Sequence, residues 1–554
     1  MRSTPVKLAL LTLLVGCTPL APITTDVAPA ETPSTGPVPA QTSGATGADA
    51  SNTRNRRTPA TRASNKAYIR LDRAPMALPE PAREFRGVWV ASVSNIDWPS
   101  APGLSTEQQQ AELRTILDQA RDLGLNAVIL QVRPAGDALY PSTIEPWSEY
   151  LTGVQGQAPS PSWDPLAWAV AESHARGLEL HAWFNPFRAR HSSAKSAAAP
   201  THISRANPSL VVSYGTQTWM DPGLKAVQDR GIQVVLDVVR RYDVDGVHID
   251  DYFYPYQERD SRRRLIPFPD DRSYAAYRRE GGRLARDDWR RNNVDRFVER
   301  LYREVKEAKP WVKVGVSPFG IWRPGYPEGV QGLDAYASIY ADARKWLNEG
   351  WLDYSSPQLY WPLGRPQQDY RALLRWWVQE SSQGRHVWPG NYTSQVQLGR
   401  VPEWTPEQIG AQIAATREQQ GASGNIHFSM KAFLADVRGL SPFLKGVYSE
   451  PALVPAFPWL TAPAVPRPSV EIEVRDDLMG EVHMNFPRDA RVATWVVRAK
   501  YGDQWTVRLV PGSHDEFTML RPVGDIRVPE LITVSAVDRV GREGAADVHT
   551  LLIP

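Results

Sequence analysis

The sequence predicts an α/β protein: a (β/α)8 TIM barrel followed by a C-terminal all-β sandwich of fibronectin or immunoglobulin type. Three observations predict it. From about Arg83 to Pro451, short β-rich runs alternate with longer amphipathic segments; eight such runs can be counted; and from about Pro466 the helical periods give way to alternating strand-like runs between turn residues.

The chain is too long for one ordinary domain, with 554 residues, 42% of them apolar, and 20 tryptophans to fill a core and line a cleft. It opens with MRSTPVKLALLTLLVGC, in which Arg2 and Lys7 precede an apolar stretch too short to span a bilayer. Residues 1–17 therefore read as an export signal ending in the lipobox-like Leu14-Val15-Gly16-Cys17, with Cys17 as the lipidation site. The alternative is an ordinary cleaved signal with a chance cysteine. Cys17 is also the only cysteine, which excludes disulfides, a cysteine-based zinc site and a catalytic thiol in the mature chain. Thr18 stands where an Asp would favour inner-membrane retention. The expected location is thus the cell envelope, lipid-anchored on the outer face of a membrane, the outer one where the host has one.

Residues 18–79 are rich in Thr, Pro, Ala and Ser without apolar periodicity, so they read as a disordered tether. Residues 80–455 are the expected barrel, with β runs starting at Gly87, Asn126, Leu178, Val244, Val312, Leu352, Arg385 and Gly424. The Pro-rich join PALVPAFPWLTAPAVPRP leads to the expected sandwich at residues 466–554. A net charge of +2 supplies no footprint for nucleic acid.

Barrel enzymes carry their chemistry at the C-terminal mouth, so polar residues at strand ends hold the functional information. Side chains on a strand alternate between the interior and the helix layer. In VDGVHIDD, Val247 and Ile249 suit the helix layer, which turns His248 and Asp250 inward, with Asp251 and Tyr252 opening the loop. The same parity turns Gln131 and Arg133 inward on the second run, His181, Trp183 and Asn185 on the third, Ser317 on the fifth, Gln358 and Tyr360 on the sixth, and His427 with Ser429 on the eighth. Acids, amides and aromatic rings around a concavity suit a sugar, whose hydroxyls need hydrogen bonds and whose C–H faces stack on rings.

Glycoside hydrolysis usually needs two carboxyl groups. Asp250 is the first candidate, against the alternative of a structural acceptor at the barrel rim. Asp251 is either its partner or the group that orients it. Glu145, in the loop YPSTIEPWSEYLTG, is the candidate acid, against the ordinary surface or capping role of a loop Glu. Trp98, Trp147, Trp322 and Trp361 follow strands and are candidate sugar platforms, whereas Trp346, Trp376 and Trp377 sit in helical patterns and read as packing. No metal is expected, because His181, His248 and His427 show no HxH or HExxH spacing. No cofactor is expected either: GxSxG, GxxxxGK[ST] and a helix-opening GxGxxG are all missing. The arginine-rich insertion ERDSRRRLIPFPDDRSYAAYRREGG reads as a solvated lid by default, or as a wall that touches an acidic substituent on the glycan.

The segments REFRGVWVASVSNIDWPS, LQVRPAGDALYPSTIEPWSEYLTG, HAWFNPFR, DGVHIDDYFYP, VGVSPFGIWR and YADARKWLNEGWLDYSSPQLYW together resemble glycosyl hydrolase-like family ten across nearly the whole barrel. The resemblance implies a glycosidase acting on peptidoglycan glycan strands, particularly peptide-free ones, and carries an expectation of a place in cell division. It supports Asp250, Asp251, Glu145, Asn185, Gln358 and Tyr360 as a site without assigning each a role. Two other functions stay open: hydrolysis of an extracellular amino-sugar polysaccharide, and non-catalytic glycan binding.

Overall fold

The computed structural model describes residues 68–398, 403–475, 481–519 and 528–551. The export signal, Cys17 and the tether up to residue 67 lie outside them. The first strand, β1 (Tyr68–Leu71), corrects the reading of residues 18–79 as tether throughout, because it pairs antiparallel with the last strand of the chain. The Tyr68 hydroxyl donates to the Pro529 carbonyl at 2.8 Å and Arg70 pairs with Asp547 at 2.6 Å.

The barrel strands are β2 (Phe85–Val90), β3 (Ala127–Arg133), β4 (Glu179–Phe184), β5 (Gly246–Ile249), β6 (Lys313–Val316), β7 (Tyr354–Ser355), β8 (His386–Val387), β9 (Gly390–Asn391) and β10 (Gly424–His427). All neighbours are parallel, in the order β8-β7-β6-β5-β4-β3-β2-β10-β9. β8 and β9 are two halves of one run: β8 pairs with β7 and β9 with β10. The ring therefore closes through Trp388-Pro389, and the domain is (β/α)8-like.

The helices form where the apolar stripe and the caps agree. In α1 (Thr106–Asp122) Ser105 accepts from the Gln108 N–H, the Gln108 side chain returns the bond, and Leu113, Ile116, Leu117 and Ala120 are buried against the strands. Each such leucine or isoleucine contributes about 1.5–3 kcal/mol by leaving water. Gly124, at φ +76°, turns the chain into β3 where a Cβ would meet the Tyr448 carbonyl at 2.7 Å.

The barrel interior is aromatic and polar where many barrels are aliphatic. Phe85 stacks on Trp388 at 3.8 Å between centroids and Trp388 on Tyr354 at 4.6 Å. Glycines opposite these rings make the room: a Cβ on Gly315 would lie 1.9 Å from the Tyr354 ring, and one on Gly246 2.5 Å from His181. Phe457 and Leu460 from the Pro-rich join, with Val540 from the C-terminal unit, pack into the same cluster beneath the strand starts.

That C-terminal unit is all-β. It consists of β11 (Glu471–Arg475), β12 (Glu481–Asn485), β13 (Val492–Tyr501), β14 (Gln504–Pro511), β15 (Glu516–Met519), β16 (Leu531–Asp538) and β17 (Asp547–Leu551). One antiparallel sheet runs β1-β17-β16-β13-β14 and the other β11-β12-β15. Val482, Met484, Trp495, Val497 and Ile532 form one buried core between them.

Candidate active site

Asp250 and Asp251 stand at the end of β5, nearly closed off from solvent at 5% and 2% exposure. The Asn185 amide, from the end of β4, donates to Asp250 at 2.6 Å. Its orientation follows from the residue below. The Gln131 side-chain Oε1 accepts from the Ser92 and Val93 N–H groups at 2.9 and 2.8 Å, so the Gln131 amide nitrogen must face Asn185, to which it donates at 2.7 Å. The Asn185 oxygen is thereby occupied, and its NH2 can only point at Asp250.

The two carboxyls differ in surroundings. Burial pushes Asp250 up, opposed by the Arg188 guanidinium, the Asn185 amide, the Tyr252 N–H and the Trp183 indole, all of which favour the anion. Burial and then the charge of Asp250 push Asp251 up to about 7, although the Tyr256 hydroxyl and the Gln358 amide both bond to it. Both carboxyls are thus pushed up by burial; Asp250 has the cation and the donors that oppose the shift, and Asp251 has the charge of Asp250 that adds to it. Arg188, which begins the short strand Arg188–Arg190 after β4, also lies 4.4 Å over the Tyr252 ring on the loop after β5.

Beneath the pair runs a chain of hydrogen bonds along the barrel axis. Trp89 can only donate, and its indole N–H meets His248 Nε2 at 3.1 Å, so that nitrogen carries no proton. His248 Nδ1 then donates to the Tyr354 hydroxyl at 3.0 Å, and Tyr354 donates to His181 Nδ1 at 2.8 Å. His181 Nε2 donates to Glu179 at 3.0 Å, and Glu179 is paired with Lys313 at 2.5 Å. Burial, with His181 close by, holds His248 well below the usual imidazole range, in keeping with this neutral tautomer. Ser317 Oγ lies 3.0 Å from His248 Nε2, and the Ser317 carbonyl accepts from the Gln358 amide at 3.0 Å.

The expected site residues separate into those that meet at the mouth and those that do not. Asp250, Asp251, Asn185, Trp183, Tyr252 and Gln358 meet there. Tyr360 stands beside them against Tyr392 and Phe428, at 4.7 and 6.0 Å between centroids. Gln358 and Tyr360 lie beyond the strand, since β7 is only two residues long. Gln131, His248 and Ser317 are engaged below the pair, Gln131 with Ser92, Val93 and Asn185, His248 with Trp89 and Tyr354, and Ser317 with His248. Trp361 packs edge-on to Phe319 at 5.7 Å.

Four expectations are corrected. Glu145 is not free to donate a proton: Arg133 grips both its oxygens at 2.6 and 2.7 Å, Arg230 lies at 3.4 Å, and its side chain is 0% exposed. Arg133 is committed to that pair and to the Asn185 carbonyl, past the register shift between Gln131 and Arg133, and so is a clamp and not a sugar contact. His427 faces the helix layer, bonded to Thr393 and Tyr448 at 2.9 and 3.0 Å, because Ile426 takes the interior position on β10. Among the proposed platforms, Trp98 is 0% exposed with its N–H on the Gln109 carbonyl, Trp322 stacks on Trp376 at 5.9 Å, and Trp147 packs on the core.

Sequence reasoning missed Arg188, Tyr256, Tyr354 and Asp97. Tyr354 shares the parity of Gln358 and was legible by it. Asp97 accepts from the Ala91 N–H at 2.8 Å, the Ser429 hydroxyl at 2.7 Å and the Lys431 N–H at 2.8 Å, latching the first loop to the eighth; burial pushes it up to about 6. Its signal was only its place after the first strand.

A family model described as glycosyl hydrolase-like 10 matches residues 84–405, which include the pair and every group that holds it. The chain belongs to the glycosyl hydrolase-like 10 family. It is a glycoside hydrolase by that membership. A family relative, glycosyl hydrolase YngK of Bacillus subtilis (strain 168), is 37% identical over 490 residues, 86% of this chain and 94% of the relative. Glycosyl hydrolase DigH of Escherichia coli (strain K12) is 37% identical over 325 residues, 55% of this chain and 72% of the relative. Among solved structures, the PgaB (BpsB) glycoside hydrolase domain from Bordetella bronchiseptica is similar with a TM-score of 0.46 at 16% identity, covering 66% of this chain and 99% of that one. The catalytic domain of a β-amylase from Paenibacillus polymyxa has a TM-score of 0.45 at 10% identity, covering 66% and 98%.

Proposed function

We propose that this family member hydrolyses β-linked amino-sugar strands of the cell wall, peptide-free peptidoglycan strands in particular, from a lipid anchor at Cys17. The observation that carries the reading is the buried pair: Asp250, bonded by the Asn185 amide and the Tyr252 N–H and faced by Arg188, beside Asp251, which burial and the charge of Asp250 push up to about 7. Asp251 donates that proton to the leaving glycosidic oxygen. Consecutive residues cannot easily flank a sugar from opposite faces, and three other buried acids of the loops after the strands are occupied, Glu145 by Arg133, Asp97 by the Ala91, Ser429 and Lys431 donors, and Asp137 by the Ala135 N–H and the Gln155 amide. An amino-sugar supplies what is missing. Its 2-acetamido oxygen attacks C1 as the glycosidic bond breaks, Asp250 accepts the acetamido N–H and balances the developing positive charge, and water then attacks C1, giving its proton to the Asp251 carboxylate as the bond from C1 to the acetamido oxygen breaks.

The full chain, incubated with peptide-free glycan strands and with a poly-amino-sugar of the extracellular type, separates the readings. Oligosaccharides with hydrolytic masses from the wall strands support the proposal. Products from the second polymer alone place the substrate outside the wall. Binding without products from either rejects catalysis on amino-sugar strands.

A further inference from the structure

The insertion that follows Tyr256 is the arginine-rich segment the acid pair leaves unused. We propose that its hairpin tip, Arg259–Leu265, is a carboxylate-reading subsite at the rim of the cleft, where Arg262 and Arg263 take the lactyl carboxylates of a peptide-free strand. The inference rests on the glycosidase reading and adds the feature of the strand that is recognised.

The tip is a built turn. Asp260 Oδ1 accepts from the Arg262 and Arg264 N–H groups, both at 2.9 Å, its other oxygen pairs with Arg264 at 2.7 Å, and Arg259 donates to the Arg263 carbonyl at 2.8 Å. The charge of Asp260 is therefore spent inside the turn. Arg262 and Arg263 are exposed, with no ion pair to an acidic side chain among the described residues, and Arg263 sits in the left-handed region at φ 64°. A non-glycine residue is held there only when its surroundings over-determine it.

The stem is equally fixed: the Glu258 N–H donates to the Tyr214 hydroxyl at 3.0 Å, and that hydroxyl donates to the Ile266 carbonyl at 2.9 Å. Two residues, Gln257 and Glu258, separate Arg259 from Tyr256, whose hydroxyl donates to Asp251, so the hairpin starts within about 10 Å of Tyr256. On the helix that follows, Asp271–Arg279, Arg272, Arg278 and Arg279 are also exposed and without an acidic partner among the described residues, while the acid of its first turn, Asp271, is paired with Arg286. A guanidinium fork matches a carboxylate, and a pre-ordered fork loses little freedom on binding. A strand that still carries peptides offers amides at those positions; a peptide-free strand offers carboxylates.

The test is binding of the full chain and of the R262A/R263A double variant to immobilised peptide-free strands and to the same strands with their lactyl carboxyls amidated. The wild type is expected to hold the native strand about tenfold more tightly at low salt, an advantage that shrinks as salt rises. The double variant, melting at the wild-type temperature, holds both strands equally. A variant that keeps the preference, or a wild type that has none, overturns the subsite. Product release measured in parallel judges the glycosidase reading separately: absence of cleavage rejects that reading while the binding comparison still decides the subsite.

Discussion

Asp250 and Asp251 are neighbours in sequence, and their roles are set by what each touches. Asp251→Asn removes the proton donor and leaves a side chain of nearly the same shape; kcat on glycan strands should fall by about 10²–10⁴, as for loss of a general acid. Because burial and Asp250 raise Asp251 to about 7, the acid is competent below that pH, and wild-type kcat/KM should fall as pH rises through about 7. A limb that stays flat to pH 9 would remove Asp251 from the acid role. Glu145→Gln tests the corrected residue. It leaves Arg133 charged, buried and unpaired, so stability should drop by about 3–5 kcal/mol in denaturant titration while kcat of the folded fraction is retained. Strand parity made Asp250, Asn185 and Gln131 legible in the sequence. It could not show that an arginine two residues beyond Gln131 would capture Glu145, since the path of the loop that folds Glu145 back onto the end of its own strand has no periodicity to read.

At the scale of the element, the parity rule worked wherever the helix layer is apolar and failed where it is not. Behind β10 the Asn425 amide donates to Asn391 at 2.8 Å, the Asn391 amide to Gln412 at 2.8 Å, and Tyr370 and Thr416 complete a buried polar network. Apolar and polar faces are thus exchanged on this strand, and His427 follows Asn425 outward. The interior inverts the usual pattern too, with rings and a hydrogen-bonded chain between β4, β5 and β7. Tyr354→Phe tests that chain. It removes the acceptor of His248 Nδ1 and the donor to His181 Nδ1, so two buried imidazoles lose a partner at about 1–3 kcal/mol each. The expected result is a lower melting temperature together with altered imidazole nitrogen shifts in NMR for both histidines. Unchanged shifts would show that the two rings are held by other contacts.

The barrel and the C-terminal sheets are continuous in packing, although the change of sequence character near Pro466 suggested separable domains. Phe457, Leu460 and Val540 fill the barrel end, and Arg539 pairs with Asp243 just before β5. A chain ending at residue 455 should therefore expose the interior rings and bind a hydrophobic dye, where a separable barrel would melt cooperatively without doing so. The charges impose a second whole-molecule property, stability that changes sign of slope with pH. For Asp245 and Glu84 burial is outweighed, by His174 and by Arg417 with Arg86, and both are held low; their stabilisation is present above the unfolded carboxylate range and is lost as pH falls. Asp97, Asp137 and Asp251 are pushed up to about 6, about 7 and about 7, chiefly by burial. For these the sign is opposite: stability is fully present below about pH 4 and is lost as pH rises through 6 to 7, because each must be ionised without adequate solvation. Asp251 is thus a destabilising residue at the pH where its proton is needed. Asp251→Asn, inactive, should melt at a higher temperature than the wild type at pH 8, because the variant has no buried carboxyl to ionise. The gap should close as pH falls from about 7 to below about 4, where the wild-type carboxyl becomes protonated in both states. A gap that is constant with pH would place the stabilisation in packing or hydrogen bonding and remove the raised carboxyl as its cause.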